Sequence, residues 1–235
     1  MLNCPVCQAE NDQYATVCTK CGGFLQNRIP NLDLFDIVWK IIESPRKAFH
    51  VITLAEHKNY ALFLYVLTGI TATFAGFWYF ALGDRIGNIL VIIFLATLIG
   101  VPVGILLCPL TSLVHWGMVK ILGKNASIRT SLGTTSYALV PIIMSLILIM
   151  PIELLTFGSY LFTLNPPPIT IKPVSYIVLL GLDGLLLGWS FLLQIIGTSI
   201  GSQLSLWKSI LVSLVVYGVM VYGLKLGGEV ALKMF

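Results

Sequence analysis

Uncharged stretches dominate this chain and leave it few ways to fold. Residues 59–83, 86–119, 130–152, 184–207 and 209–224 hold 25, 34, 23, 24 and 16 positions without an Asp, Glu, Lys or Arg. A helix needs about 20 apolar residues to cross the hydrocarbon core of a bilayer, with a range of about 17–25. In that medium only a helix or a closed barrel satisfies its own backbone polar groups. Five spans is the simplest count, the fifth borrowing Trp207 at its edge. The rest of the composition agrees: 57% of the 235 residues are hydrophobic and 10% charged, against about 25% charged in soluble domains. The expected fold is an all-α membrane protein, a bundle of about five transmembrane helices in a lipid bilayer. The net charge of +4 is scattered, and no basic block interleaves with aromatics, so no nucleic-acid partner is expected.

The second stretch exceeds one upright span, since 34 helical residues would extend about 50 Å against a hydrocarbon core of about 30 Å. Pro102 and Pro109 lie inside it and predict a kinked, tilted helix. A broken helix with a short re-entrant arm is the alternative. Between the third and fourth stretches, Asn165 and the three prolines Pro166 to Pro168 predict a loop on the non-cytoplasmic side.

With the N-terminus inside, and Lys20 between the last two cysteines left aside, the inner segments carry Arg28, Lys40, Arg46, Lys47, Lys58, Lys120, Lys124, Arg129 and Lys208, nine basic residues. The outer segments carry four, Arg85, Lys172, Lys225 and Lys233. This asymmetry predicts a multi-pass protein of the cell (inner or plasma) membrane, N-terminus cytoplasmic and C-terminus outside. The sequon Asn125 to Ser127 then faces inward and stays unglycosylated.

Residues 1–27 have another texture. Cys4, Cys7, Cys18 and Cys21 form two Cys-x-x-Cys pairs ten residues apart. Each pair can turn two thiolates inward from a tight knuckle, and two knuckles supply the four ligands of a closed, structural zinc site. Gly22-Gly23 allows the positive φ that such a turn needs, whereas Gln8 stands where glycine would be more usual. Disulfides would require an oxidising compartment, which the charge count argues against. Redox pairs usually open a helix in a βαβ pattern, for which this segment has no room. Iron suits the same ligands and remains the alternative metal. One structural Zn2+ would fold this short tail and leave no open position for catalysis, so the ribbon is expected to be a contact surface for a cytosolic protein. Cys108, in an apolar setting, reads as a small hydrophobe.

Residues 28–58 link the ribbon to the spans. Asp33, Asp36, Lys40, Glu43 and Lys47 recur at steps of three and four, opposite Leu34, Phe35, Val38, Ile41 and Ile42. Ser44 can cap a second helix that Pro45 opens. Two amphipathic helices are expected, either lying on the inner membrane surface, with Arg46 and Lys47 near lipid phosphates, or packed against the inner ends of the spans.

Three stretches, "DLFDIVWKIIESPRKAF", "TSYALVP" and "GWSFLLQIIGTSIGSQLSLWKSILV", resemble the Yip-domain family in order and spacing. The resemblance covers roughly residues 30–230, and a zinc ribbon ahead of such a domain is similar to an arrangement of prokaryotic members. It implies a five-span bundle over 59–235 with a cytosolic N-terminus. It also implies a non-enzymatic role, which in eukaryotic relatives lies in vesicle traffic and membrane organisation.

Three polar residues fall near the apolar stretches. If the fourth span begins at Gly184, Asp183 caps its start at the interface, favoured by the helix dipole. This is the expected register; a span from Ser175 would bury the carboxylate instead and suggest an ion or substrate path. Glu153 is likewise expected at the interface, His115 at headgroup level beside Trp116, and no second acid in the layer of Asp183. Gly100/Gly104, Gly184/Gly188, Gly197/Gly201 and Gly223/Gly227 offer small-xxx-small pairs, for packing within one bundle or for a homo-oligomer. No nucleophile elbow, metalloprotease motif or phosphate loop is present, so no catalytic residue is expected. The sequence points to a non-catalytic scaffold or adaptor; the alternative is a small multi-pass transporter or channel with Asp183 in its path.

Overall fold

The computed structural model describes the chain except residues 1, 13, 24, 26–30, 125–126 and 235, and the side chains of 227–228 and 230–234. The boundary expected between residues 27 and 28, Arg28, and Asn125 of the sequon therefore lie outside the described residues. Two short strands, β1 (Leu2–Asn3) and β2 (Glu10–Asn11), pair antiparallel with Leu2 opposite Asn11 and frame the first cysteine knuckle. Seven helices follow: α1 (Leu34–Glu43), α2 (Pro45–Leu54), α3 (Ala61–Tyr79), α4 (Ile89–Ile121), α5 (Ile128–Phe162), α6 (Pro173–Gly201) and α7 (Leu206–Met234). Single helical turns occupy Gly83–Ile86 and Pro168–Ile171. The helices α3 to α7 are the five long enough and apolar enough to cross a membrane.

α1 and α2 form where the amphipathic stripe predicts. The Asp33 carboxylate accepts from the Asp36 N–H at 3.0 Å and starts α1. Ser44 makes no side-chain cap; its N–H closes α1 onto the Lys40 carbonyl, and Pro45 opens α2 directly. Ala48, Phe49 and Ile52 of α2 are buried against α5 and α6, so the pair packs on the ends of the spans. α1 buries Ile37 and Ile41 but leaves Phe35, Trp39 and Ile42 on an outward edge. Of the two placements left open by the sequence, packing against the spans is the one seen, on the inward face of the pair.

α4 is one continuous helix of 33 residues that runs through Pro102 and Pro109 without a re-entrant arm. Its pairing with α3 is the closest in the bundle. A Cβ added at Gly69 would fall on the backbone of Gly100 and Gly104, and one at Gly104 on the Tyr65 carbonyl. Gly197 and Gly201 face Phe49, Thr130 and Thr134 in the same manner, whereas Gly184, Gly188 and Gly223 have no such neighbour within 4 Å.

The third span is longer than its uncharged stretch, and its prolines shape it. Pro151 cannot donate to the carbonyl four residues back, and its ring crowds that turn. The preceding turn, Ser145–Ile149, widens to a π-helix in which the Met150 N–H reaches the Ser145 carbonyl. Helical structure then continues through Glu153, and a 3-10 turn ends at Phe162. The fourth span likewise begins at Pro173, eleven residues before Gly184, because proline suits the first helical turn and nothing in 174–183 breaks it. Both differences move acids expected at the interface into the spans.

Candidate functional site

The ribbon gathers its four thiols as the spacing requires. All four Sγ atoms lie within 4.8 Å of one another, with Cys4–Cys21 and Cys7–Cys18 at 3.6 Å. Thiolates bound to one zinc at about 2.3 Å stand about 3.8 Å apart at the corners of a tetrahedron, so this cluster fits a metal ion with small adjustment. The knuckles are held by backbone: Gln8 N–H bonds the Cys4 carbonyl at 2.9 Å and Gly22 N–H the Cys18 carbonyl at 3.0 Å. Gln8 and Gly22, at equivalent places, have φ of 56° and 69°. Gln8 thus adopts the left-handed conformation that its departure from glycine makes costly.

N–H groups converge on the sulfurs, as they do where negative charge must be held. Val6 N–H points at Cys4 Sγ, Lys20 N–H at Cys18 Sγ and Gly23 N–H at Cys21 Sγ, each at 3.4 Å. The backbone N–H of Cys21, joined by that of Lys20 and by the Asn11 side chain, draws the Cys18 thiol down to about 6 against the opposing effect of burial. The Cys4 thiol is lowered too, first by the Cys7 N–H. Asn11 also ties the knuckles, accepting from Thr19 N–H at 2.9 Å and donating to the Ala9 carbonyl at 2.8 Å. The sequence reading passed over Asn11, which lies between the motifs and belongs to neither.

The ribbon is seated on the bundle. Tyr14 donates its hydroxyl to the Ile200 carbonyl at the end of α6, and its ring lies 5.4 Å from that of His50 on α2. Burial pushes the Tyr14 phenol up to about 12, which keeps it a donor. Lys58 locks the same region: its ammonium bonds the carbonyls of Ile52, Thr53 and Ala55 at the end of α2, and burial pulls it down to about 8. The ribbon, α1, α2 and the connections after α4 and α6 therefore share one face of the bundle.

The spans hold two polar constellations. His115 is fully buried; Nδ1 lies 3.0 Å from Ser131 Oγ and Nε2 3.0 Å from Thr198 Oγ1, each partner within a turn of its helix end. Tyr65 hydroxyl bonds Thr111 and Thr135 at 2.6 Å each. Hydroxyls from α5 and α6 thus engage both nitrogens of the imidazole, while Tyr65 ties α3 to α4 and α5.

The second constellation corrects three expectations. Asp183 lies ten residues inside α6, so it is not a cap, and Glu153 lies nine residues before the end of α5. That places each carboxyl roughly 15 Å along its helix from the face opposite the ribbon. Glu153 is 7% exposed and lines the same cleft as Asp183, so a second acid does share its layer. Ser145 Oγ, offered by the π-helical turn, donates to Asp183 Oδ1 at 2.5 Å. The two acids thus face one cavity from neighbouring helices. They line a cleft of about 430 Å³ with Thr71, Trp78 and Tyr176, and the Trp78 N–H donates to the Tyr176 hydroxyl at 3.1 Å. The signal for this pair was present: both acids stand at matching distances from the proline-rich turn once helix is allowed to continue up to it.

A family model described as the Yip1 domain matches residues 39–227, which excludes the ribbon and includes both constellations. No curated protein and no solved structure matches the chain.

Proposed function

Because this chain belongs to the Yip1 domain family, we propose that it is a non-catalytic membrane scaffold whose zinc-loaded ribbon docks a cytosolic protein. It is a multi-pass membrane protein, and in our reading the ribbon face is cytosolic, the metal is zinc, and the C-terminus lies outside. The observation that carries the proposal is the seating of the ribbon. Tyr14 fixes it to the end of α6 and to His50, so the cysteine knuckles present a surface in register with the bundle instead of trailing from it. Four thiolates saturate a tetrahedral ion, which suits folding and contact and leaves no position for substrate. Val6, on the outward knuckle, is 73% exposed and offers an apolar contact next to the metal. Crosslinking in native membranes followed by mass spectrometry tests this, comparing wild type with a Cys4→Ser/Cys7→Ser variant. Loss of one specific soluble protein from the crosslinks is the expected result; an unchanged set confined to the protein itself and lipid would rule the docking role out.

A second reading has an observation of its own in the Asp183–Glu153 cleft. Two acids on neighbouring spans beside an apolar cavity are what a small transporter moving protons or cations would need. Proteoliposomes of wild type and Asp183→Asn, loaded with a pH-sensitive dye, separate the readings. Proton-coupled flux that the variant abolishes favours transport, and no flux from either favours the scaffold.

A further inference from the structure

We propose that the crevice between the ribbon and the ends of the spans binds a phosphate group, carried by a phospholipid headgroup or by a soluble phosphate compound. This site is separate from the four thiols and from the acid pair. The crevice, about 440 Å³, lies between Tyr14 of the ribbon, Thr53 of α2, Lys124 and the start of α5, and the Gly201 to Gln203 turn after α6.

Its deepest polar group is Ser202, 4% exposed, whose Oγ has no hydrogen-bond partner among the described residues. A buried hydroxyl left unsatisfied costs about 1–3 kcal/mol, so its retention on a crevice wall points to an absent acceptor or donor. The opposite wall is the N-terminus of α5. Ser127 Oγ takes the Thr130 N–H at 3.0 Å and the Ser127 carbonyl takes that of Ser131 at 3.1 Å. The amides of Ile128 and Arg129, which cannot bond within the helix, meet no acceptor among the described residues.

Charge completes the argument. A helix N-terminus favours negative groups, yet the first turn of α5 carries no acid; Arg129 stands there, with Lys124 before it. The one carboxylate on the crevice, Asp12, is turned back onto its own Tyr14 N–H at 2.8 Å. Lys124 therefore faces a dipole of its own sign with no anion to balance them, which a phosphate would supply. The crevice also lies where α4 and α6 end and α5 begins, at one end of the spans.

The test uses the full, metal-loaded protein in dodecyl maltoside. Inorganic phosphate is titrated by equilibrium dialysis with 32P, and native mass spectrometry counts phospholipids carried from the membrane. Saturable binding by either probe is expected, weakened about tenfold or more by Lys124→Glu and by Ser202→Ala, since a hydrogen bond to a charged group contributes about 1.5–3 kcal/mol. Ser202→Ala carries the test alone should the charge reversal fail to fold. Retained phospholipid that inorganic phosphate displaces identifies a headgroup site; phosphate binding without retained lipid identifies a soluble ligand. No binding of either probe, or binding that neither variant changes, overturns the proposal.

Discussion

On the ribbon side of the bundle, His115 is enclosed by hydroxyls from two other helices; toward the opposite face, Asp183 and Glu153 meet across a cleft. The first site has each ring nitrogen at 3.0 Å from a partner and no exposed surface. The second has one fully enclosed acid, one half-buried acid and an apolar cavity beside them. Polar groups in lipid are costly in both places. Around His115 the cost is offset by complete hydrogen bonding among four helices, which fixes their packing. Around Asp183 it is offset by one hydroxyl, and space is left over. A satisfied polar layer acts as glue; a polar pair with room beside it is free to exchange what it holds.

The largest effect should come from the seam that supports the first site. Gly104→Val would press on the Tyr65 backbone and push α3 from α4, opening the hydroxyl layer while leaving the acid pair in place. Overpacking of this kind costs about 1–3 kcal/mol and here meets rigid backbone, so about 3 kcal/mol is expected in detergent unfolding titrations. His115→Leu should cost about 1–3 kcal/mol, because Ser131 and Thr198 lose their partner in the interior and membrane hydrogen bonds contribute up to about 1.7 kcal/mol each. Asp183→Asn should behave differently, changing stability by less than about 1 kcal/mol, since the amide can still accept from Ser145 and the cavity leaves room beside it. A loss as large as that from His115→Leu would erase the distinction between glue and working site.

Lys58 gives a smaller, pH-dependent effect on the ribbon side. Its folded pKa of about 8 lies below the ordinary 10.5, so between these values the unfolded chain binds the proton more tightly. Stability should rise from pH 8 to 10.5 and be flat below 8 with respect to this group. Lys58→Met should remove the slope in the same unfolding titration. The smallest effect belongs to Gly184→Ala on the cleft side of α6, where an added Cβ meets nothing within 4 Å. Helix propensity gives at most a slight gain, well under about 1 kcal/mol, and a loss instead would reveal a partner helix packed on that face.

The gathering of four thiols and the number of spans were legible from the chain alone, because both rest on local rules. Cys-x-x-Cys spacing sets the direction of each knuckle, and length without charge decides whether a segment can sit in lipid. Where a span ends is a different matter. Charge marked the limits at Ile152 and Gly184, but a lone Glu153 or Asp183 does not terminate a helix when the neighbouring helix brings a second acid to the same cavity. That partner is 30 positions away in sequence, and its depth depends on the π-helical turn before Pro151. His115 shows the same limit: nothing near it in sequence tells that Ser131 and Thr198 close on its two nitrogens.

The sequence by itself thus determined a five-span membrane bundle, two amphipathic helices and a four-thiol ribbon, since each depends on residues within a few turns of one another. Only the tertiary structure decided where the ribbon sits, which glycines seam the helices, and that two acids meet in one layer. Those outcomes depend on contacts between distant segments in a medium without water, where a polar group's place is set by the partner it finds.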